Sequence, residues 1–146
     1  MASENLSSGY AGDLKPAAAW TLLGSDRAAQ LVDVRTHAEW SFVGTPDLVG
    51  LGRKVHFVEW QDFPAAAPNP DFAAKVGAAL GHDKNAPVLF LCRSGARSRA
   101  AAQAMTAAGY TRAYNIAEGF EGDLNHDRHR GIKNGWKAAG LPWIQT

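Results

Sequence analysis

The sequence predicts an α/β domain in which a mostly parallel sheet is covered by helices on both faces. Three observations lead there. Strand-like and helix-like segments alternate along the chain, the pattern that builds parallel sheets through helical crossovers. One segment, residues 87–91, is apolar throughout from Val88 to Leu91, as a central strand buried on both faces requires. That segment ends at the single cysteine, Cys92, and a short Gly-containing loop then leads into an Ala-rich, helix-favouring stretch.

In chain order, residues 1–9 are small and polar and read as a loose terminus, leaving one domain over residues 10–146. Gly12 to Pro16 is turn-like. Pro16 suits the first turn of a helix, and Ala17 to Leu23 reads as a short helix stopping near Gly24. Residues 31–35 form a strand by their β-branched content and short length. Thr36 with Glu39 three residues on has capping-box spacing, so His37 to Phe42 is one or two helical turns closed by Gly44. Residues 45–54 are rich in turn formers and show no regular pattern. Val55 to Val58 alternates as a strand, and a Pro/Ala stretch then runs to Pro70. Asp71 to Leu80 is a helix, with Phe72, Val76 and Leu80 at four-residue spacing and Gly81 as its stop. After the cysteine loop, a helix starting at Ser98 or Arg99 runs to Ala108 and ends at Gly109. Residues 113–117 form a last strand. The tail ends in a short helix or turn pinned by Trp136 and Trp143.

The chain has 146 residues, enough to bury about two-thirds of its unfolded surface without staples. A net charge of +1 marks neither a nucleic-acid nor a membrane partner. The N-terminus lacks the basic start and apolar core of a signal peptide, and no stretch approaches a membrane span, so a cytoplasmic protein is expected. One cysteine excludes an internal disulfide and an intramolecular resolving thiol. His126 and His129 offer too few ligands for a metal and read as a solvated basic loop; no metal or other cofactor is expected.

A lone cysteine is commonly a small buried apolar residue. Here it is followed by Arg93, Ser94, Gly95, Ala96, Arg97 and Ser98, where a helix begins. A helix N-terminus offers unpaired N–H groups and partial positive charge, which suits an anion. A unit charge about 5 Å from the thiol at an effective dielectric near 20 contributes roughly 3 kcal/mol, about two pKa units. The pattern therefore predicts a thiol that ionises readily. Arg99 falls on the helix surface. Asp33 and Arg35, at the end of the first long strand, suit an ion pair that fixes loop geometry behind the site. Trp60, just past a strand end, either lines a site or packs under the loop.

The run Cys92-Arg-Ser-Gly-Ala-Arg97-Ser98 resembles the active-site loop of the rhodanese family of sulfurtransferases. Further matching segments are the strand with Asp33-Val-Arg35 leading to Glu39 and Gly44, the Gly-Phe-Glu-Gly after the last strand, and the Gly-Leu-Pro near the end. Together they cover residues 10–146. The resemblance implies a three-layer rhodanese-like fold with about five strands. It also implies that Cys92 carries a persulfide whose outer sulfur is held by the amides of residues 93–98. Gly95 and Ala96 are small enough to let that backbone close around the sulfur. Arg93 and Arg97 favour a small anionic donor such as thiosulfate, and the acceptor is cyanide, a thiol or a protein. Cysteine-dependent phosphatases and some arsenate reductases need one more residue before the arginine; here that position holds Ser98. Two other readings stay open: a sulfur carrier or binding module for a protein partner, and a thiol-dependent phosphatase or arsenate reductase.

Overall fold

The computed structural model describes residues 9–61, 67–81 and 83–145, so the loose terminus expected over residues 1–9 lies, but for Gly9, outside the described residues. The chain forms β1 (Gly12–Leu14), α1 (Pro16–Ser25), β2 (Gln30–Asp33), α2 (His37–Phe42), β3 (Thr45–Pro46) and β4 (Val55–Phe57). It continues through α3 (Phe72–Leu80), β5 (Val88–Leu91), α4 (Ala96–Ala107), β6 (Ala113–Ile116) and β7 (Trp143–Ile144). Five strands make one parallel sheet in the order β1-β6-β5-β2-β4, with the apolar β5 at its centre. This is the three-layer α/β fold that the alternation of elements predicts.

Side-chain alternation along the strands divides the core in two. Val32, Val34 and Phe90 pack against Phe72 and Val76 of α3 and Ala101, Ala102 and Met105 of α4. Leu31, Leu89, Leu91 and Ile116 face the other way, onto Ala19 and Leu23 of α1 with Phe120 and Trp136. Trp136 is fully buried and its indole N–H donates to the Pro142 carbonyl at 2.8 Å, which pins the tail. The tail is a turn rather than a helix.

The sequence reading differs from the structure at three places. Gly12–Leu14 is an edge strand paired with β6, not a turn. Gly and Asp carry little strand propensity, and the pairing is supplied by Tyr114–Ile116, a hundred residues away. The segment after Gly44 is not wholly irregular: β3 pairs antiparallel with β7, and Val49–Leu51 forms a 3-10 turn. Finally, α4 starts at Ala96, two residues before the expected point, because Gly95 adopts φ 115° and turns the chain directly into the helix.

β2 leads outward to β4, whereas β5 leads to β6 on its other side. The sheet's topological switch point therefore lies between β5 and β2, and the crevice beyond their C-terminal ends is where open α/β sheets place ligands. Cys92 follows β5 there, and Arg35, Thr36 and Glu39 follow β2.

Candidate active site

Cys92 caps the central strand and is 1 % exposed. Its Sγ accepts the Gly95 backbone N–H at 3.1 Å and lies 3.1 Å from the Ser98 hydroxyl oxygen. The left-handed Gly95 folds the loop back so that its amide meets the sulfur, and Ser98, in the first turn of α4, points inward and is fully buried. The loop backbone is gripped from beneath. Phe120 N–H donates to the Cys92 carbonyl, and Glu121 and Gly122 N–H both donate to the Arg93 carbonyl. Gly119 lies so close that an added Cβ would meet the Arg93 carbonyl at 2.5 Å and the Cys92 oxygen at 2.6 Å, and its φ is +68°. The Gly-Phe-Glu-Gly run thus serves as a clamp on the loop.

Arg97 does not stand free beside the thiol. Its Nη1 and Nη2 donate to the two carboxylate oxygens of Glu39 at 2.7 and 2.9 Å, each side chain about 20 % exposed. The same carboxylate closes the expected capping box, accepting the Thr36 N–H while Thr36 Oγ1 accepts the Glu39 N–H. Burial opposes ionisation of Glu39, but the Arg97 guanidinium and the Thr36 amide outweigh it and hold the carboxyl at about 2. In turn the Glu39 carboxylate raises Arg97 against the opposing effect of burial, with Cys92 and Asp33 adding to the rise. A residue whose local signal is a helix cap therefore also neutralises and orients a loop arginine. Sequence patterning gives no signal for that contact.

Asp33 and Arg35 make the expected ion pair, fully buried, with Arg35 Nη2 2.7 Å from Asp33 Oδ2. The same nitrogen reaches the Gly44 carbonyl at 2.8 Å, and the guanidinium lies over the Phe120 ring at 4.3 Å. The pair ties the end of β2 to the α2–β3 corner and to the clamp, behind the loop rather than in contact with the thiol. Trp60 takes the packing alternative: its ring stands edge-on to Phe72 at 5.0 Å, against the α3/α4 core. Arg93 is exposed and forms no ion pair among the described residues. Ser94, Gly95 and Ala96, with Arg99, Asn115, Ala117 and Glu118, line an open cleft of about 280 Å³ on the β6 side of the loop. His126 and His129 are exposed, and the described residues contain no group of three metal-ligating side chains. No helix among them is long and apolar enough to cross a membrane.

Residues 12–146 match the family described as the STR4 middle domain. The uncharacterized protein RC0915 of Rickettsia conorii is 42 % identical over 125 residues, covering 86 % of this chain and 90 % of that protein. The chloroplastic rhodanese-like domain-containing protein 4 of Arabidopsis thaliana is 30 % identical over 127 residues, 87 % of this chain but 24 % of its own length. Among solved structures, Rv0390 from M. tuberculosis superposes with a TM-score of 0.81 at 50 % identity, covering 94 % of this chain and 99 % of that one. The polysulfide-sulfur transferase homodimer of Wolinella succinogenes shares the fold, with a TM-score of 0.60 at 21 % identity over 99 % of this chain and 87 % of that one. With its parallel five-stranded sheet and a cysteine loop at the switch point, the chain belongs to the rhodanese-like family of sulfurtransferase-type domains.

Proposed function

We propose that the protein transfers sulfane sulfur from a small anionic donor of the thiosulfate type to cyanide or a thiol, through a persulfide on Cys92. The observation that carries this reading is the Gly95 N–H directed at Cys92 Sγ, in a loop with only four residues between the cysteine and Arg97. A loop this short, with an amide already turned to the sulfur, fits one anionic atom better than a tetrahedral oxyanion. With the thiol proton released to solvent, the Cys92 thiolate attacks the outer sulfur of thiosulfate. A Cys–S bond forms, the donor's S–S bond breaks, and sulfite leaves with its electron pair. Cyanide or a thiolate then attacks the outer sulfur, and Cys92 departs as thiolate, so the cycle is redox-neutral.

Arg97 in this scheme shapes the loop, since Glu39 takes up its charge. Exposed Arg93 is the arginine that meets an approaching anion. The carrier reading draws on the same neutralisation and on the burial of Cys92, which limit capture of free donors. Intact mass after thiosulfate, and again after cyanide, tests the proposal. One added sulfur that cyanide removes, absent in Cys92→Ser, is expected. An unchanged mass refutes thiosulfate as donor, and loading without steady turnover points to the carrier.

A further inference from the structure

Beneath the loop a chain of polar groups runs from the sulfur to the edge of the sheet. Ser98 Oγ lies 3.1 Å from Cys92 Sγ and 2.5 Å from Asn115 Oδ1. Asn115 Nδ2 donates to Asp13 Oδ1 at 2.9 Å, and the Tyr10 hydroxyl donates to the same oxygen at 2.8 Å. Ser98 and Asn115 are buried, at 0 % and 4 % exposure. Asp13 sits on β1, the strand that local sequence does not reveal.

A hydroxyl has one proton, and here two acceptors face it. The Asp13 carboxylate accepts from Nδ2, which fixes the orientation of the Asn115 amide and turns Oδ1 toward Ser98. An amide oxygen cannot donate, so the proton in the short contact belongs to Ser98. The thiol form of Cys92 loses nothing by this, because its S–H can donate to Ser98 Oγ. The thiolate does: either it faces an oxygen lone pair, or Ser98 swings its proton to the sulfur and Asn115 Oδ1 is left buried and unpaired.

We propose that Asn115, oriented by Asp13, is a positioning residue that sets the reactivity of Cys92 by holding the Ser98 proton away from the sulfur. Charge on the inner sulfur is disfavoured, while charge on the outer sulfur of a persulfide, away from Ser98, is not. That second consequence rests on the persulfide reading above; the effect on the thiol does not. Around Cys92 lie other charges: Arg93 and Arg97 in the loop, Glu39 on α2, the Asp33–Arg35 pair beyond β2, and Glu118 after β6. Arg99 and Tyr10 flank Asp13. Changing Asn115 leaves all of these in place, whereas Asp13→Ala also removes one negative charge and the Tyr10 contact, which the Ser98→Ala background separates from the effect of the hydroxyl.

Cys92 is the chain's only thiol, so the pH dependence of its alkylation by iodoacetamide reports on it alone. Asn115→Ala removes the acceptor. Asp13→Ala, at an exposed strand position, frees the Asn115 amide to turn, and keeps the test available if the buried substitution does not fold. Each is expected to move the midpoint of the alkylation profile down by about half to one pH unit. In a Ser98→Ala background, both shifts should fall to within about 0.2 unit, because the coupling runs through that hydroxyl. Equal shifts in the two backgrounds would assign the effect to through-space charge or repacking and overturn the proposal, as would an unmoved or raised midpoint when Ser98 is present. If the shifts appear but thiosulfate adds no sulfur to the parent protein, the relay stands and the persulfide reading falls.

Discussion

Replacing Glu39 with Gln separates the two tasks of that side chain. The amide oxygen can still accept the Thr36 N–H, but the bidentate ion pair to Arg97 becomes at most one neutral hydrogen bond. The Glu39 carboxyl is held at about 2 against an ordinary value of 4.5, a shift worth about 3 kcal/mol when fully expressed. Part of that comes from Thr36 and survives, so Glu39→Gln should destabilise the fold by about 2 kcal/mol at pH 7. The sign is set by the lowered folded-state pKa: the stabilisation is present above the unfolded value and is lost as pH falls toward 2. By pH 3 the unfolded chain is protonated at Glu39 while the native carboxyl is still mostly ionised, and roughly 2 kcal/mol of the contribution has gone. Urea unfolding of both proteins from pH 7 to pH 3 should show the gap closing across that range. A Gln variant as stable as the parent at pH 7, or a gap that does not change with pH, would refute the assignment of Glu39 as the anchor of the loop arginine.

Arg97→Ala should reduce sulfur loading equally from thiosulfate and from a neutral persulfide donor, whereas Arg93→Ala should weaken thiosulfate selectively, by roughly one order of magnitude. Specificity constants for the two donors decide this, and a thiosulfate-selective loss in Arg97→Ala would return the anion-reading role to that residue. Gly119→Ala forces a Cβ into the Arg93 carbonyl at a positive φ and should cost about 3 kcal/mol or more, visible as a lowered urea midpoint. A glycine inserted after Ala96 moves the arginine to the phosphatase spacing and interrupts the first turn of α4. Sulfur loading by intact mass should then be largely lost, and loading equal to the parent would show that ring size does not select the reaction.

Much of this protein is readable locally. The all-apolar β5 needs no context to be central, because only a strand covered on both faces tolerates Val-Leu-Phe-Leu. The Thr36–Glu39 capping box and the loop that turns at Gly95 into an Ala-rich helix are likewise short-range features, set by backbone donors within a few residues of their partners. The same holds for the Asp33–Arg35 pair, two residues apart.

What the tertiary structure alone decides are the contacts that give those features their chemistry. Glu39 and Arg97 are 58 residues apart, and Asp13 and Asn115 are 102. No periodicity or motif links such positions, because each pair is brought together by strand order. β2 beside β5 delivers Glu39 to the loop, and β1 beside β6 delivers Asp13 to Asn115. The sequence by itself determined that a thiol would sit on a tight loop between a buried strand and a helix. Whether its arginine would be free, and where the Ser98 proton would point, depended on neighbouring strands, since long-range electrostatics and hydrogen bonding are properties of the assembled sheet.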